Sequence, residues 1–129
     1  MIKRFDRLDV ATSDLADASS IYERNFGFKV RRESAGDSSN ASDDALVTVG
    51  DAEIRLRSGA PVADFIAANG EGLAAVWLEA DDVEAVAVAL DRAGLARRPV
   101  HREGDRRILE VDPKAANMVP LFIFDRAAS

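Results

Sequence analysis

The chain has 129 residues, of which 47% are hydrophobic, which is enough for one folded domain with a substantial core. It contains no cysteine, so disulfides and thiol chemistry are excluded, and no apolar run approaches the roughly 20 residues of a membrane span. A formal net charge of −6 disfavours general nucleic-acid binding, because contacts to phosphate need a basic surface. The basic start of the chain has no apolar run behind it, so we expect no signal peptide and a cytoplasmic protein.

The first half of the chain predicts a strand, a helix and three further strands. Apolar and polar residues alternate over the predicted strands, which cover 5–12, 28–33, 45–49 and 52–57. The predicted helix covers 14–25, with Ser13 or Asp14 as its cap and a glycine as its stop signal. Gly50-Asp51 is a two-residue turn type and predicts a hairpin, whereas the polar residues of 34–43 predict a loop.

The second half repeats the order of strand, helix and three strands. Its predicted helix covers 82–93, with Asp81 or Asp82 as the cap and Gly94 placed to end the helix. Its predicted strands are 73–80, 95–101, 106–111 and 119–124. Pro99 restricts the second of these to an edge of the sheet, because proline cannot donate a hydrogen bond to a neighbouring strand.

The segments between these elements are shorter and more polar. We predict a turn at 102–105, a loop at 112–117 and a connection at 58–71 that contains a short helical turn. A repeated unit in a chain of this length indicates two similar modules packed into one domain. We therefore predict a single domain, with one module over 1–58 and a second over 72–129.

Four short motifs follow one another at the starts and ends of these elements. They read Thr12-Ser13-Asp14-Leu15, Asn25-Phe26-Gly27-Phe28, Gly72-Leu73 through Asp81-Asp82, and Pro113 followed by Asn117-Met118-Val119. In this order and spacing the chain resembles the vicinal oxygen chelate superfamily, which includes glyoxalase I, methylmalonyl-CoA epimerase, extradiol dioxygenases and bleomycin-resistance proteins. The resemblance implies an α+β fold of two βαβββ modules that form an open curved barrel with the helices outside, and it implies a homodimer.

The resemblance also locates the positions that hold a metal in many enzymes of this superfamily. One residue from each of four strands binds the ion, and these positions fall on Arg7, Arg55, Ala75 and Phe122. A guanidinium has no lone pair to offer a cation, and alanine and phenylalanine carry no ligand atom. We therefore predict that the protein binds no metal at this place and uses no other cofactor.

Alternation along the strands sorts the side chains onto two faces. The apolar face, which should pack against the helices, consists of Leu8, Val10, Ile54, Leu56, Val76, Leu78, Leu121 and Ile123. In the fold that the resemblance implies, the opposite face lines a cavity with a charged wall and an aromatic wall. The candidate ligand-binding residues on that face are Arg7, Asp9, Glu53, Arg55, Arg57, Ala75, Trp77, Glu79, Phe122 and Phe124.

Such a cavity suits a small molecule with an aromatic or apolar body and an anionic group. Arg7 and Arg55 would pair with the anion and Trp77 would cover the body, so that Arg55→Ala would weaken binding and leave the fold intact. The alternative, left open here, is that Arg7, Arg55, Asp9 and Glu53 only pair with one another.

Three classes of function fit these residues. The first is a metal-free protein that binds a small molecule, like the antibiotic-sequestering members of the superfamily. The second is a metal-independent enzyme that holds an anionic substrate with Arg7 and Arg55 and uses Glu53, Asp9 or Glu79 as a base. The third is an interaction module.

Two further features are interpreted as surface groups. His101 is the only histidine of the chain and lies beside an arginine-rich turn, which favours an exposed position. The arginines in question are Arg97, Arg98, Arg102, Arg106 and Arg107. They are interpreted as a solvated hairpin with nearby acidic counter-charges.

Overall fold

The computed structural model describes residues 1–34 and 43–126. Within them the strands are β1 (Ile2–Ala11), β2 (Val30–Ser34), β3 (Asp43–Val49), β4 (Ala52–Arg57), β5 (Gly72–Ala80), β6 (His101–Glu103), β7 (Arg106–Val111) and β8 (Leu121–Asp125). The helices are α1 (Leu15–Phe26), α2 (Ala60–Asn69) and α3 (Val83–Arg92), and a 3-10 helix covers Pro113–Ala116. This order confirms the predicted α+β class with two βαβββ modules, and α2 lies in the connection between them.

The chain divides into two compact units. The first unit is Arg7–Ala74, and the second unit combines Met1–Asp6 with Ala75–Ser129. Strand β1 therefore contributes its first residues to the second unit and its remaining residues to the first.

In the first unit the strands are hydrogen-bonded in the order β2-β3-β4-β1. β1 runs parallel to β4, and its register places Val10 beside Leu56. Leu56 is fully buried and packs with Leu15 of α1, which confirms that this apolar face meets the helix. Burying a leucine side chain contributes about 1.5–3 kcal/mol, so this contact fixes which face of the sheet α1 covers.

In the second unit the strand order is β5-β8-β7-β6, and the start of β1 lies beside β5, where Asp81 N donates to Met1 O. β5 is parallel to β8, and Leu78 lies beside Ile123. Ile123 packs with Val83 and Val86 of α3 in the core of this unit. In both units, then, one sheet face is covered by a helix and the other carries the candidate site residues.

Helix α1 and helix α3 begin and end as the sequence predicts. Asp14 accepts a hydrogen bond from Asp17 N, and Asp82 accepts one from Glu84 N, so each aspartate satisfies a free N–H group of the first turn. Gly27 follows α1 with φ of 70°, a left-handed conformation that glycine adopts without strain.

The arginine-rich segment differs from its prediction. The strand expected over 95–101 is reduced to one isolated bridge between Arg97 and Val111, and β6 begins only at His101. Pro99 interrupts the pairing because it has no N–H group. The expected turn at 102–105 is likewise shorter, since Arg102 and Glu103 belong to β6 and pair with β7.

Three other boundaries also differ. The connection contains the ten-residue helix α2 instead of a single turn, with a proline in its first turn, where proline is tolerated. The loop expected over 112–117 contains the 3-10 helix, and β8 starts at Leu121 instead of 119 because Asn117 and Met118 have positive φ. The loop predicted at 34–43 lies outside the described residues except for its two ends, which belong to β2 and β3. In the described part of the chain, every helix is too short or too polar to cross a bilayer.

Candidate functional site

The charged candidates lie in the first unit, where neighbouring strands bring Asp9 and Arg55 together. The register of β1 and β4 places the two residues side by side. Arg55 Nε donates to Asp9 Oδ1 and Arg55 Nη2 donates to Asp9 Oδ2, both at 2.7 Å. Their side chains are only 16% and 6% exposed. This two-pronged ion pair satisfies both carboxylate oxygens and two of the three guanidinium nitrogens, so Arg55 is engaged by the protein itself.

The other charges on this face are arranged in a similar way. Arg57 Nε donates to Asp44 Oδ1 at 3.0 Å, and Glu53 Oε2 accepts from Arg31 Nη2 at 2.8 Å. Arg7 lies beside Glu53 in the register of β1 and β4 and is partly buried. Mutual pairing of Arg7, Arg55, Asp9 and Glu53, the alternative raised by the sequence analysis, therefore accounts for Asp9 and Arg55. Glu53 and Arg57 instead pair with residues outside this set, Arg31 of β2 and Asp44 of β3.

The four positions that hold a metal in related enzymes do not offer a suitable donor set here. Arg55 already donates two hydrogen bonds to Asp9, and Arg7 is also a cation. Ala75 and Phe122, in the second unit, carry no atom that binds a metal. Among the described residues, no group of three or more His, Cys, Asp or Glu side chains is placed to hold a metal ion. These residues do not fit a divalent cation at the superfamily position.

The aromatic candidates lie in the second unit, on the strands β5 and β8. Trp77 and Phe122 are side by side in the register and stack with ring centroids 4.6 Å apart at an interplanar angle of 15°. Phe124 meets the Trp77 ring edge-on at 6.2 Å. Trp77 and Phe122 are only half-buried, whereas Phe124 has no exposed surface. A ligand could therefore contact the first two rings, and Phe124 supports them from within.

The two remaining candidates in this unit, Ala75 and Glu79, are buried. Glu79 Oε1 accepts from Arg4 Nη1 at 3.3 Å, and Glu79 Oε2 lies 3.7 Å from Arg126 Nη1. Arg4 also donates to Asp6 at 2.7 Å. Glu79 thus lies near two arginine guanidinium groups, beside the aromatic strand residues.

Sequence reasoning missed two arginines next to the aromatic group. The guanidinium carbon of Arg106 lies 4.4 Å from the centre of the Phe124 ring, and that of Arg126 lies 5.3 Å from it. Both distances are within the range of cation–π contacts. A signal for Arg126 was available in the sequence, because it follows Phe124 by two positions and therefore continues the same face of β8.

Three other arginines of the 97–107 cluster, Arg97, Arg98 and Arg107, form ion pairs with carboxylates. Arg97 donates to both oxygens of Asp91 at 3.0 and 2.9 Å; this contact lowers the pKa of Asp91 and raises the pKa of Arg97. Arg98, which is mostly exposed, lies 3.5 Å from Glu110 at a cavity of about 380 Å³. His101 is exposed, with Nε2 3.8 Å from Glu103 Oε2, as expected for a surface histidine.

A second cavity, of about 250 Å³, lies against α1 in the first unit. At its edge Glu71 Oε1 accepts from Ser13 N at 2.7 Å, Ser13 Oγ at 2.9 Å and Thr12 Oγ1 at 3.0 Å. These three donors lower the pKa of Glu71, the backbone hydrogen bond from Ser13 having the largest effect. Through these hydrogen bonds the carboxylate connects the residue before β5 with the turn between β1 and α1.

Comparison with known proteins agrees with this architecture. The model of the glyoxalase/bleomycin resistance protein/dioxygenase superfamily matches residues 6–109. A search of curated proteins gave no match.

Several solved structures share the fold over nearly the whole chain. A methylmalonyl-CoA epimerase variant from Streptomyces coelicolor, in complex with 2-nitronate-propionyl-CoA, is 22% identical, with a TM-score of 0.77 over 99% of this chain and 97% of that chain. The methylmalonyl-CoA epimerase from Mycobacterium tuberculosis is 21% identical, with a TM-score of 0.75 over 98% and 90%. A hypothetical protein from Bacillus halodurans is 18% identical, with a TM-score of 0.78 over 98% and 96%. At these identities the likeness concerns the fold alone.

Proposed function

Because the chain belongs to the glyoxalase/bleomycin resistance protein/dioxygenase superfamily, we propose that it binds a small molecule without the help of a divalent metal. The ligand would have an aromatic or other flat apolar body. This function combines the family's fold with the residues that this chain carries on its strands.

The stacked pair of Trp77 and Phe122 carries the proposal. Both side chains lie on the sheet face opposite the helix-covered core, and both keep exposed surface although they are large and apolar. Large aromatic side chains gain free energy when they are covered, and a flat ligand can cover them by stacking or by meeting their edges. The support from Phe124 keeps the pair in place, so a ligand would meet a preformed surface.

Catalysis is less well supported than binding. The enzyme considered in the sequence analysis needs Arg55 to hold an anionic substrate, but Arg55 already forms a two-pronged ion pair with Asp9. Two of its candidate bases, Asp9 and Glu79, are buried and form ion pairs with arginines, so their carboxylate oxygens are already engaged by the protein itself. The activity of the methylmalonyl-CoA epimerases is not proposed for this chain, because the likeness concerns the fold.

Nuclear magnetic resonance offers a direct test, because Trp77 is the only tryptophan of the chain. Its indole N–H gives one isolated signal in a spectrum of ¹⁵N-labelled protein. We expect a screen of small aromatic compounds to find members that shift this signal in a saturable way. The substitution Trp77→Leu would remove the reporter signal, so the test variant is Phe122→Leu. Calorimetry compares the affinities of the hits for this variant and for the wild type, and we expect the variant to bind more weakly.

The matched control is Phe26→Leu. Phe26 is 63% exposed on α1 and belongs to the first unit, so it is an exposed aromatic residue that is not part of the proposed site. Binding that is lost equally in Phe26→Leu and Phe122→Leu, or a screen without any saturable shift of the indole signal, would contradict the proposal.

We also propose that the protein is a homodimer in the cytoplasm, as small members of the superfamily commonly are. Light scattering coupled to size-exclusion chromatography measures the mass directly. A mass near the 13.9 kDa of one chain across the accessible concentrations would contradict the dimer.

A further inference from the structure

Two guanidinium groups lie against one aromatic ring in the second unit. Arg106 of β7 and Arg126, which directly follows β8, are 4.4 and 5.3 Å from the centre of the Phe124 ring. Phe124 in turn meets Trp77, so both cations are neighbours of the aromatic pair that the proposed function uses.

These two arginines differ from Arg55 and Arg107 in how their charge is balanced. Arg55 and Arg107 are held by aspartates at hydrogen-bond distances of 2.7 and 2.9 Å. Arg126 has only long contacts, 3.7 Å to Glu79 and 4.0 Å to Asp105. For Arg106, no carboxylate of the described residues lies within ion-pair distance. Its guanidinium instead forms a cation–π contact with the Phe124 ring.

Stacking on a ring leaves a guanidinium free to bind an anion. The N–H groups of arginine point outward in the plane of the guanidinium, whereas the ring contacts its flat face. The cation–π contacts with Phe124 are not hydrogen bonds, so they use none of the N–H donors of Arg106 and Arg126. A carboxylate can accept two parallel hydrogen bonds from such an edge.

Building on the proposed function, we infer that Arg106 and Arg126 determine its ligand class, which is an aromatic carboxylate. The ring of the ligand lies against Trp77 and Phe122, and its carboxylate is bound by the two arginines. The anion site thus lies on β7 and at the end of β8 in the second unit, and not at Arg7 and Arg55.

Two probe compounds distinguish the contribution of the ligand's charge to binding from the contribution of its aromatic ring. 2-Naphthoate and 2-naphthamide share the same aromatic body, but only the first carries a negative charge. We expect both to shift the Trp77 indole signal, with naphthoate binding more tightly by calorimetry. In the double variant R106Q/R126Q we expect naphthoate to bind about tenfold more weakly, while naphthamide affinity stays within about twofold of wild type.

The control R92Q/R102Q removes the same charge from exposed positions of α3 and β6 and should leave both affinities unchanged. If the double variant does not fold, the measurement is repeated with Arg126→Gln alone, because this side chain is half-exposed. We expect this single variant to lose naphthoate affinity as well, but by a smaller factor. Arg126→Lys should restore only part of the naphthoate affinity, because an ammonium cannot form the paired contact.

The possible results separate this inference from the proposed function. If naphthoate binds no better than naphthamide, or if R106Q/R126Q weakens both probes equally, the inference is wrong and binding at the aromatic pair stands. If neither probe shifts the indole signal of the wild type, the proposed function is contradicted and the inference with it.

Discussion

Asp9 and Arg55 are joined through two hydrogen bonds of 2.7 Å across neighbouring parallel strands, with both side chains largely removed from solvent. A buried ion pair of this kind contributes little compared with an apolar pair of the same size. Removal of one partner, however, leaves the other as an uncompensated charge in a poorly solvated place. The pair therefore makes Arg55 a structural residue.

The first prediction follows from this pair and reverses the expectation that Arg55→Ala leaves the fold intact. Arg55→Gln should lower the free energy of unfolding by about 3 kcal/mol, because it removes the guanidinium that donates two hydrogen bonds to the buried Asp9 carboxylate. Urea unfolding measures the change. The double variant D9N/R55Q should recover much of the loss, and a control, Arg92→Gln on exposed α3, should change little. If Arg55→Gln were as stable as the wild type, the ion pair would not be important for folding.

A second prediction concerns Asp125, which is 1% exposed. It accepts from Val83 N at the start of α3 at 2.7 Å, and from Arg107 Nε at 2.9 Å. This carboxylate raises the pKa of Arg107 and joins β7, β8 and α3. Asp125→Ala should lower the free energy of unfolding by about 1–3 kcal/mol, because a buried helix N–H group loses its acceptor. Arg107 would also keep only its longer hydrogen bond, of 3.2 Å, to Asp82.

Thermal unfolding of Asp125→Ala is compared with that of Asp105→Ala, whose side chain is 79% exposed. We expect a large decrease in melting temperature for the first and almost none for the second. Equal effects would contradict the assigned role of Asp125.

The third prediction concerns pH and Glu71. Its three hydrogen bonds lower its pKa in the folded protein below the ordinary value of 4.5, so the unfolded chain binds this proton more readily. The resulting stabilisation is complete above pH 4.5 and disappears as the pH falls through the folded-state pKa. Wild type should thus be more stable than Glu71→Gln at neutral pH, and the difference should vanish in acid.

Unfolding measured across this pH range gives the difference directly, and the carboxyl chemical shift of Glu71 gives its pKa. Glu23→Gln, at an exposed position of α1, is the comparison. If the difference in stability between wild type and Glu71→Gln stayed constant with pH, the stabilisation would not depend on the protonation of Glu71.

The fourth prediction concerns the backbone before β8. Met118 has φ of 67°, a left-handed conformation that disfavours a residue with a Cβ atom by roughly 1–2 kcal/mol. Its side chain is 68% exposed, so little packing is lost when it is removed. Met118→Gly should stabilise the protein by about 0.5–1 kcal/mol, after the greater chain entropy of glycine is subtracted. Met118→Ala, which keeps the Cβ atom, should give no such gain in urea unfolding.

A fifth prediction follows from the donor chemistry at the superfamily's metal positions. Excess Co²⁺, Zn²⁺ or Mn²⁺ should leave the melting temperature of the untagged protein unchanged, because Arg7, Arg55, Ala75 and Phe122 cannot bind them. A saturable increase in melting temperature at stoichiometric metal would overturn this expectation.

Local patterns in the sequence were sufficient for the modules, the elements and the helix caps. Alternation identified the buried faces of β4 and β8, and each helix cap was narrowed to two neighbouring residues, because these signals depend only on residues a few positions apart. The structure selects Asp14 and Asp82 as the caps. The prediction that no metal binds at the superfamily position also depends only on residue types, because arginine, alanine and phenylalanine offer no ligand atom. The strand boundaries around Pro99 and Met118 and the length of α2 were misplaced. The two strand boundaries depend on backbone conformation and on pairing with another strand.

Tertiary structure decided what each charged side chain does. In the sequence, the charged wall consisted of Asp9, Arg55, Glu53 and Arg57. In the structure these four residues form ion pairs: strand register pairs Asp9 with Arg55, Glu53 pairs with Arg31, and Arg57 pairs with Asp44. In the same way, the packing of β7 beside β8 brings Arg106 to Phe124, although the two residues are far apart in the chain. Side-chain ion pairs and cation–π contacts form between residues distant in sequence, so their partners are set by the fold and carry no local signal.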